Sequence, residues 1–136
     1  EPMFDGLESK LAAILYAIPA VKGVEFGKGF AAAALMGSEN NDPFYYDADG
    51  RVKTSTNHHG GSLGGISSGM PLVLRTAFKP TPSISQEQQT IGLDTRQNET
   101  IRIMGRHDPC IVPRAVPCVE AAMAVALLDL YYMQNK

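Results

Sequence analysis

From Ala115 to Asn135 the only formal charges are Glu120 and Asp129. A segment that apolar is normally a helix buried on most of its sides. At about 1.5 Å per residue it would run ~30 Å, enough to cross a small domain. Directly ahead of it stands Gly105-Arg106-His107-Asp108-Pro109-Cys110. A fixed cation, an imidazole and a carboxylate are thereby placed side by side at the mouth of a core helix, which is how a reactive constellation is held rigid. A salt-bridged loop is the plainer reading of the same residues.

The rest of the chain must supply what packs on that helix. Its 136 residues suit one domain, and 44% hydrophobic content suffices for a core. Leu7, Leu11, Ile14, Leu15 and Ile18 fall at helical spacing, and Pro19 ends the run. Asp5 and Glu8 have the spacing of a capping box for this helix. The stretch 19–27 is short, β-branched and bounded by glycine, which predicts a strand. Residues 29–35, rich in alanine, predict a short helix packed closely through small side chains. Met70–Phe78 alternates as a core strand, and 100–104 is a second short one. The polar residues 86–99 read as loop. Between 37 and 55 lies a polar excursion carrying Phe44, Tyr45 and Tyr46, in which Asp49-Gly50 has the signature of a hairpin turn.

Several function classes are disfavoured. The net charge is −2 with no Lys/Arg tract, so neither nucleic acid nor a membrane surface is an expected partner. The longest apolar run, Ala121–Leu128, is short of the ~20 residues of a membrane span. The first residues lack the pattern of a signal peptide, and the absence of Met at position 1 suggests a processed chain or a piece of a longer one. Cys110 and Cys118 read as cytosolic thiols, and a cytoplasmic protein is expected. His58, His59, His107 and the two cysteines show no zinc-ligand spacing, so no metal is expected. A Cys-His hydrolase would rest on Cys110 and His107, with Pro109 constraining it. A Ser-His-Asp arrangement is open to Ser67 or Ser68, but no GxSxG elbow is present.

An anion site is left. Residues 56–69 hold five glycines, whose exposed N–H groups can hold phosphate or a polar ring edge. Lys79-Pro80-Thr81-Pro82-Ser83 is a stiff turn carrying a lysine and hydroxyls, a sensible phosphate clamp. Arg106 adds a second cation, and Asp108 is the carboxylate placed to act as a base.

Taken in order, Glu1-Pro2-Met3-Phe4-Asp5-Gly6-Leu7, Ile18-Pro19-Ala20-Val21-Lys22-Gly23-Val24-Glu25-Phe26-Gly27, Gly37-Ser38-Glu39, the glycine stretch 56–69, Lys79-Pro80-Thr81-Pro82-Ser83-Ile84 and Gly105-Arg106-His107-Asp108-Pro109-Cys110 through Glu120 resemble the C-terminal part of chorismate synthase. The resemblance spans essentially all of residues 1–136. It implies an α+β fold, the second half of a βαβ sandwich with long helices on antiparallel strands, assembled as a homotetramer. It also implies a lyase of the shikimate pathway, part of aromatic amino-acid biosynthesis. Such an enzyme converts 5-enolpyruvylshikimate-3-phosphate to chorismate by 1,4-anti elimination of phosphate, using reduced FMN. NADP is associated with flavin reduction in this setting. Reduced flavin lends electron density as phosphate leaves and recovers it as the C6 proton is lost.

Position by position, the resemblance makes Pro19 and Ala20 a flavin-contacting pair and Gly64 a glycine that approaches the flavin. Lys79, Pro80, Thr81, Pro82 and Ser83 become the segment holding FMN, and Arg106 an arginine at flavin and substrate. Asp108 becomes the catalytic residue, an aspartate that helps deprotonate flavin N5. The family's Gly-Glu-Ser-His-Gly segment, its catalytic histidines and most substrate-binding arginines have no counterpart here, so the chain alone is expected to be inactive. A non-catalytic FMN- or phosphate-binding fragment, or an oligomerisation fragment built on Phe44–Tyr46, is the alternative.

Overall fold

The computed structural model describes residues 2–134. A short helix α1 (Pro2–Asp5) leads into α2 (Leu7–Tyr16), where Leu7, Leu11 and Leu15 form the buried stripe that their four-residue spacing predicts. The expected capping box is not formed. Asp5 belongs to α1 and its carboxylate pairs with Lys10 at 2.9 Å, while Gly6 is the N-cap and offers no side chain. The Leu7 amide, one of the donors a helix start leaves unpaired, instead binds the Gly65 carbonyl at 2.8 Å and ties the glycine stretch to the core.

Strand β1 (Val21–Phe26) follows, then a 3₁₀ turn at Gly29–Ala34 and a one-turn helix α3 (Gly37–Asn40). The helix expected at 29–35 is thus a 3₁₀ turn with no buried residue, and Phe30 is exposed. Alanine side chains are too small to anchor it. What holds its start is the Glu25 carboxylate, which accepts from the Phe30 amide at 3.1 Å.

Strands β2 (Phe44–Tyr46) and β3 (Val52–Thr54) form the expected hairpin. Asp47 closes its turn by accepting from the amides of Asp49 and Arg51 at 3.0 and 2.9 Å. A second hairpin pairs β4 (Ser62–Leu63) with β5 (Ile66–Ser67), and Gly64 and Gly65, at φ 59° and 82°, make the turn between them. Two successive positive φ angles suit glycine and few other residues.

Strand β6 (Leu74–Phe78) runs antiparallel to β1. The alternation from Met70 overextends the strand, because Pro71 has no N–H to give a ladder. Residues 86–99, read from sequence as loop, contain β7 (Glu87–Gly92) and lead into β8 (Gln97–Arg102), a six-residue hairpin pairing throughout. Helix α4 (Val112–Gln134) closes the chain.

The core sits between α2 and α4. Leu7, Leu11 and Ala126 are buried together, with Phe26, Leu72 and Leu74 from the sheet side and Met123, Leu127 and Leu130 from α4 against them. The α+β class is as expected. Every sheet among the described residues is a two-stranded antiparallel pair, so no parallel βαβ unit is formed here.

Burial of α4 differs most from expectation. Only Ala115 and Ala126 are buried, whereas Val116, Val125, Leu128, Tyr132 and Met133 are exposed. One face seats on α2 and on the sheet side, and the exposed residues are left largely uncovered among the described residues. By length and composition alone the helix could cross a membrane, which the shorter run Ala121–Leu128 did not suggest.

Backbone strain falls at the start of β1. Ala20 has φ 73°, a left-handed conformation that costs an alanine about 1–2 kcal/mol. Ala20→Gly should therefore stabilise the fold by about 0.5–1 kcal/mol despite glycine's entropy in the unfolded chain. A urea midpoint no higher than wild type would show that the strain is absorbed elsewhere.

Candidate active site

The strained corner at Ala20 lies against the lysine-proline turn. The Lys79 amide donates to the Ala20 carbonyl at 2.8 Å, one step beyond the Val21–Phe78 pair that starts the β1–β6 ladder. From there the turn runs into a cleft of about 570 Å³ lined by Pro80, Thr81, Ile84, Ser85, Gly105, His107, Asp108 and Pro109. Two segments some twenty-five residues apart, each singled out for its chemistry, thus form its two walls.

The cleft is built by side chains reaching across. Arg102 Nε donates to the Ser85 carbonyl at 3.0 Å, and Gln88 Nε2 to the Pro82 carbonyl at 3.2 Å, so the β7–β8 hairpin braces the proline turn. His107 Nε2 donates to the Ile103 carbonyl at 3.1 Å, which leaves Nδ1 as the acceptor of the neutral ring. Asp108 Oδ2 lies 2.8 Å from Arg114 Nη1, in the first turn of α4. That contact is on the surface, and its worth is orientation more than stability. Among the described residues Asp108 Oδ1 accepts no hydrogen bond.

Three features give the cleft an unmet appetite for a polar ligand. Thr81 Oγ1 is buried and has no hydrogen-bond partner among the described residues. A buried hydroxyl left in that state costs on the order of 1–3 kcal/mol, so it needs a partner. Lys79 and Arg106, which flank the lining residues, have no ion-pair partner among the described residues. Elsewhere Arg75 is taken up by Glu25, and Arg51 lies 4.0 Å from Asp49.

The structure therefore brings Pro80, Thr81 and Asp108 into one cleft, while Lys79, next in the chain to Pro80, is tied to Ala20 through the main chain, with Pro19 exposed beside Ala20. Pro82 and Ser83 continue the same turn, and Arg106 stands between two lining residues without lining the cleft itself. Gly64 is not brought to it. It forms the tip of the β4–β5 hairpin, and a Cβ added there would meet nothing within 4 Å. The neighbouring Gly65 lines a different cavity, with Leu7, Leu72 and Tyr131.

A second polar cluster joins Ser68, one of the two serines left open for a Ser-His-Asp arrangement, to His59 and to Asp42, whose part in it went unread in the sequence. Asp42, in the polar excursion, accepts from the Thr56 hydroxyl at 2.5 Å and from the amides of His58 and His59 at 2.8 and 2.9 Å. His59 Nδ1 also bonds the Asp42 carboxylate, and His59 Nε2 lies 2.7 Å from Ser68 Oγ. The side chains of Asp42 and His59 are each only 7% exposed. Burial alone would raise the Asp42 pKa. The hydrogen bonds from Thr56, His58 and His59 outweigh it and hold the carboxyl well below the usual carboxylate range. The one signal available was the pair of histidines beside a glycine stretch.

The sequence profile of chorismate synthase matches residues 1–132. This chain belongs to the chorismate synthase family. It is 59% identical over 130 residues to the chorismate synthase of Dehalococcoides mccartyi, an alignment spanning 96% of this chain and 35% of the relative. The enzyme of Archaeoglobus fulgidus is 55% identical over 135 residues, spanning 99% of this chain and 37% of the relative. The chloroplastic chorismate synthase 1 of Solanum lycopersicum is 53% identical over 128 residues, covering 94% and 29% respectively. A solved chorismate synthase structure superposes with a TM-score of 0.54 at 39% identity, over 57% of this chain and 23% of the other. The chain thus spans about a third of the length of the curated chorismate synthases it matches.

Proposed function

We propose that this chain is the C-terminal part of a chorismate synthase that eliminates phosphate from 5-enolpyruvylshikimate-3-phosphate, with reduced FMN held at the cleft between residues 79–85 and 105–109. The observation that carries the reading is the cleft itself, whose buried Thr81 hydroxyl has no hydrogen-bond partner among the described residues, with Lys79 and Arg106 next to its lining residues in the chain. That donor set fits FMN. Lys79 offers a point charge to a phosphate, and Thr81 and Ser83 offer hydroxyls to a phosphate or a ribityl chain. When bound, the reduced flavin supplies electron density to the breaking carbon–oxygen bond.

The chain's own residues then divide the remaining work. Arg106 presents a planar fork to a carboxylate or phosphate. Asp108, oriented through Oδ2 by Arg114, keeps Oδ1 available to take a proton at the site. Ala20 fixes the corner where the Lys79 turn begins. A substrate with a phosphate and two carboxylates needs more cations than these, and Arg51 and Arg75 are placed elsewhere. The remaining two thirds of the relatives' length would supply them, completing a βαβ sandwich and covering the exposed side of α4. In that assembly we place the enzyme in the cytoplasm as a homotetramer.

Lys79 provides the test of cofactor placement. In the full-length protein Lys79→Ala should weaken FMN binding about tenfold, the scale of one charge-assisted contact. Turnover at saturating FMN should stay within a few-fold. Flavin fluorescence titration reads the first and chorismate formation the second. Unchanged FMN affinity would place the cofactor elsewhere.

A further inference from the structure

The Asp42–His59–Ser68 chain lies outside the proposed flavin cleft and has the connectivity of a nucleophile, its base and an orienting carboxylate. Asp42 accepts a hydrogen bond from Nδ1, so the imidazole proton sits there and Nε2 is the acceptor. Ser68 Oγ, 2.7 Å from Nε2, then donates its proton to the ring. That is the tautomer which lets an imidazole act as base toward a hydroxyl. Asp42 is fixed independently by the Thr56 hydroxyl and two main-chain amides, so it orients His59 without swinging.

The surroundings of Ser68 suit a reacting group. Ser68 is half-buried between exposed Ser67 and exposed Gly69. The Gly69 amide makes no hydrogen bond among the described residues, so a main-chain donor follows the hydroxyl directly in the chain. Lys53 Nζ donates to the Gly69 carbonyl at 3.3 Å and sets a cation close by. Among the clefts that contain the glycine stretch, Ser67 is a lining residue and Ser68 is not, so any substrate must be small and must approach from the surface.

We infer that Ser68 is an activated nucleophile, a site of acyl transfer from small activated esters that is separate from the elimination chemistry. In the step, Oγ forms a bond to the carbonyl carbon as its proton passes to His59 Nε2. The carbonyl electron pair moves onto oxygen. On its return the ester bond breaks, and the leaving alcohol departs with the proton from Nε2. The product is an acyl group on Ser68. No oxidant or metal is required.

The glycine stretch carries its own control. Ser67 and Ser68 lie in one tryptic peptide, Thr54–Arg75, and the Ser67 hydroxyl has no hydrogen bond among the described residues. The full-length protein would be treated with an alkyl fluorophosphonate, a phosphonyl analogue of the acyl donor, and the labelled serine located by fragment mass spectrometry. Ser68 should label about a hundredfold faster than Ser67, the scale of assistance from a positioned base. His59→Gln should bring the two rates close together, and Ser68→Ala should remove the label from this peptide. Equal labelling of Ser67 and Ser68 in the wild-type chain, or none on Ser68, would overturn the inference. The wild-type ratio decides this even if His59→Gln does not fold. Labelling of folded His59→Gln at the wild-type rate would also overturn it.

Discussion

Asp42→Ala should lower stability by about 3–5 kcal/mol, the cost of breaking a buried, charged hydrogen-bond network by removing one partner. Four donors converge on this carboxylate: the Thr56 hydroxyl, the amides of His58 and His59, and the His59 ring. They join the polar excursion around β2 and β3 to the glycine stretch, so both should loosen together. The loss is large beside the few kcal/mol by which small domains are stable. It is larger still where Leu11 and Leu15 are the only large side chains fully buried among the described residues. Asp42→Asn should cost less, because the amide oxygen still accepts while its NH₂ meets donors. Urea denaturation checks both, and an unchanged midpoint for Asp42→Ala would mean that the network is ornamental.

The same carboxylate sets a pH dependence. Its folded pKa lies below the unfolded value of about 3.9, so its contribution is complete above that value. The contribution is lost as the pH falls from about 4 toward the lower folded pKa. Asp42→Asn should flatten this acid limb. Asp5 is also lowered, by its hydrogen bond with Lys10, and Glu25 by the Phe30 amide and then Arg75. Asp5 is solvent-screened, and a surface pair like it adds little.

How much of this was legible follows from where each signal resides. Helix α2 could be read because Leu7, Leu11 and Leu15 repeat along one face, and the β2–β3 hairpin because Asp49-Gly50 has local turn chemistry. The β7–β8 hairpin could not. Its strands pair Gln88 with Ile101 and Ile91 with Asn98, and all of β8 is exposed, so no apolar alternation marks it. Helix α4 was foreseen as a helix and misjudged in burial, since an apolar sequence states a need for cover without stating which chain provides it. In the candidate site, Lys79 and Asp108 were legible as chemistry, and the family resemblance joined them. The Asp108–Arg114 ion pair, six residues apart, agrees with the salt-bridged loop that this stretch allowed, whereas the reach of Asp42 to His59, seventeen residues on, is a pairing with no local trace.

Asp108→Asn should reduce turnover of the intact enzyme about a hundredfold or more, the usual loss when a positioned proton acceptor is removed. Asparagine keeps the shape and loses only a surface ion pair with Arg114, which adds little stability, so the cleft wall should stand. Affinities for FMN and substrate should therefore remain within a few-fold, and the loss should appear in kcat. A collapse of FMN affinity with the chemical step untouched would instead make Asp108 a binding residue. The central claim, that the 79–85 and 105–109 walls form one side of a chorismate synthase site, is tested most directly in a chimera. There this chain replaces the matching third of the Dehalococcoides mccartyi relative, and chorismate formation from 5-enolpyruvylshikimate-3-phosphate is followed with reduced FMN. The chimera should form chorismate, and its Asp108→Asn version should bind FMN but turn over at about one hundredth of that rate. A folded, FMN-binding chimera that forms no chorismate, or an Asp108→Asn version at full rate, would contradict the claim.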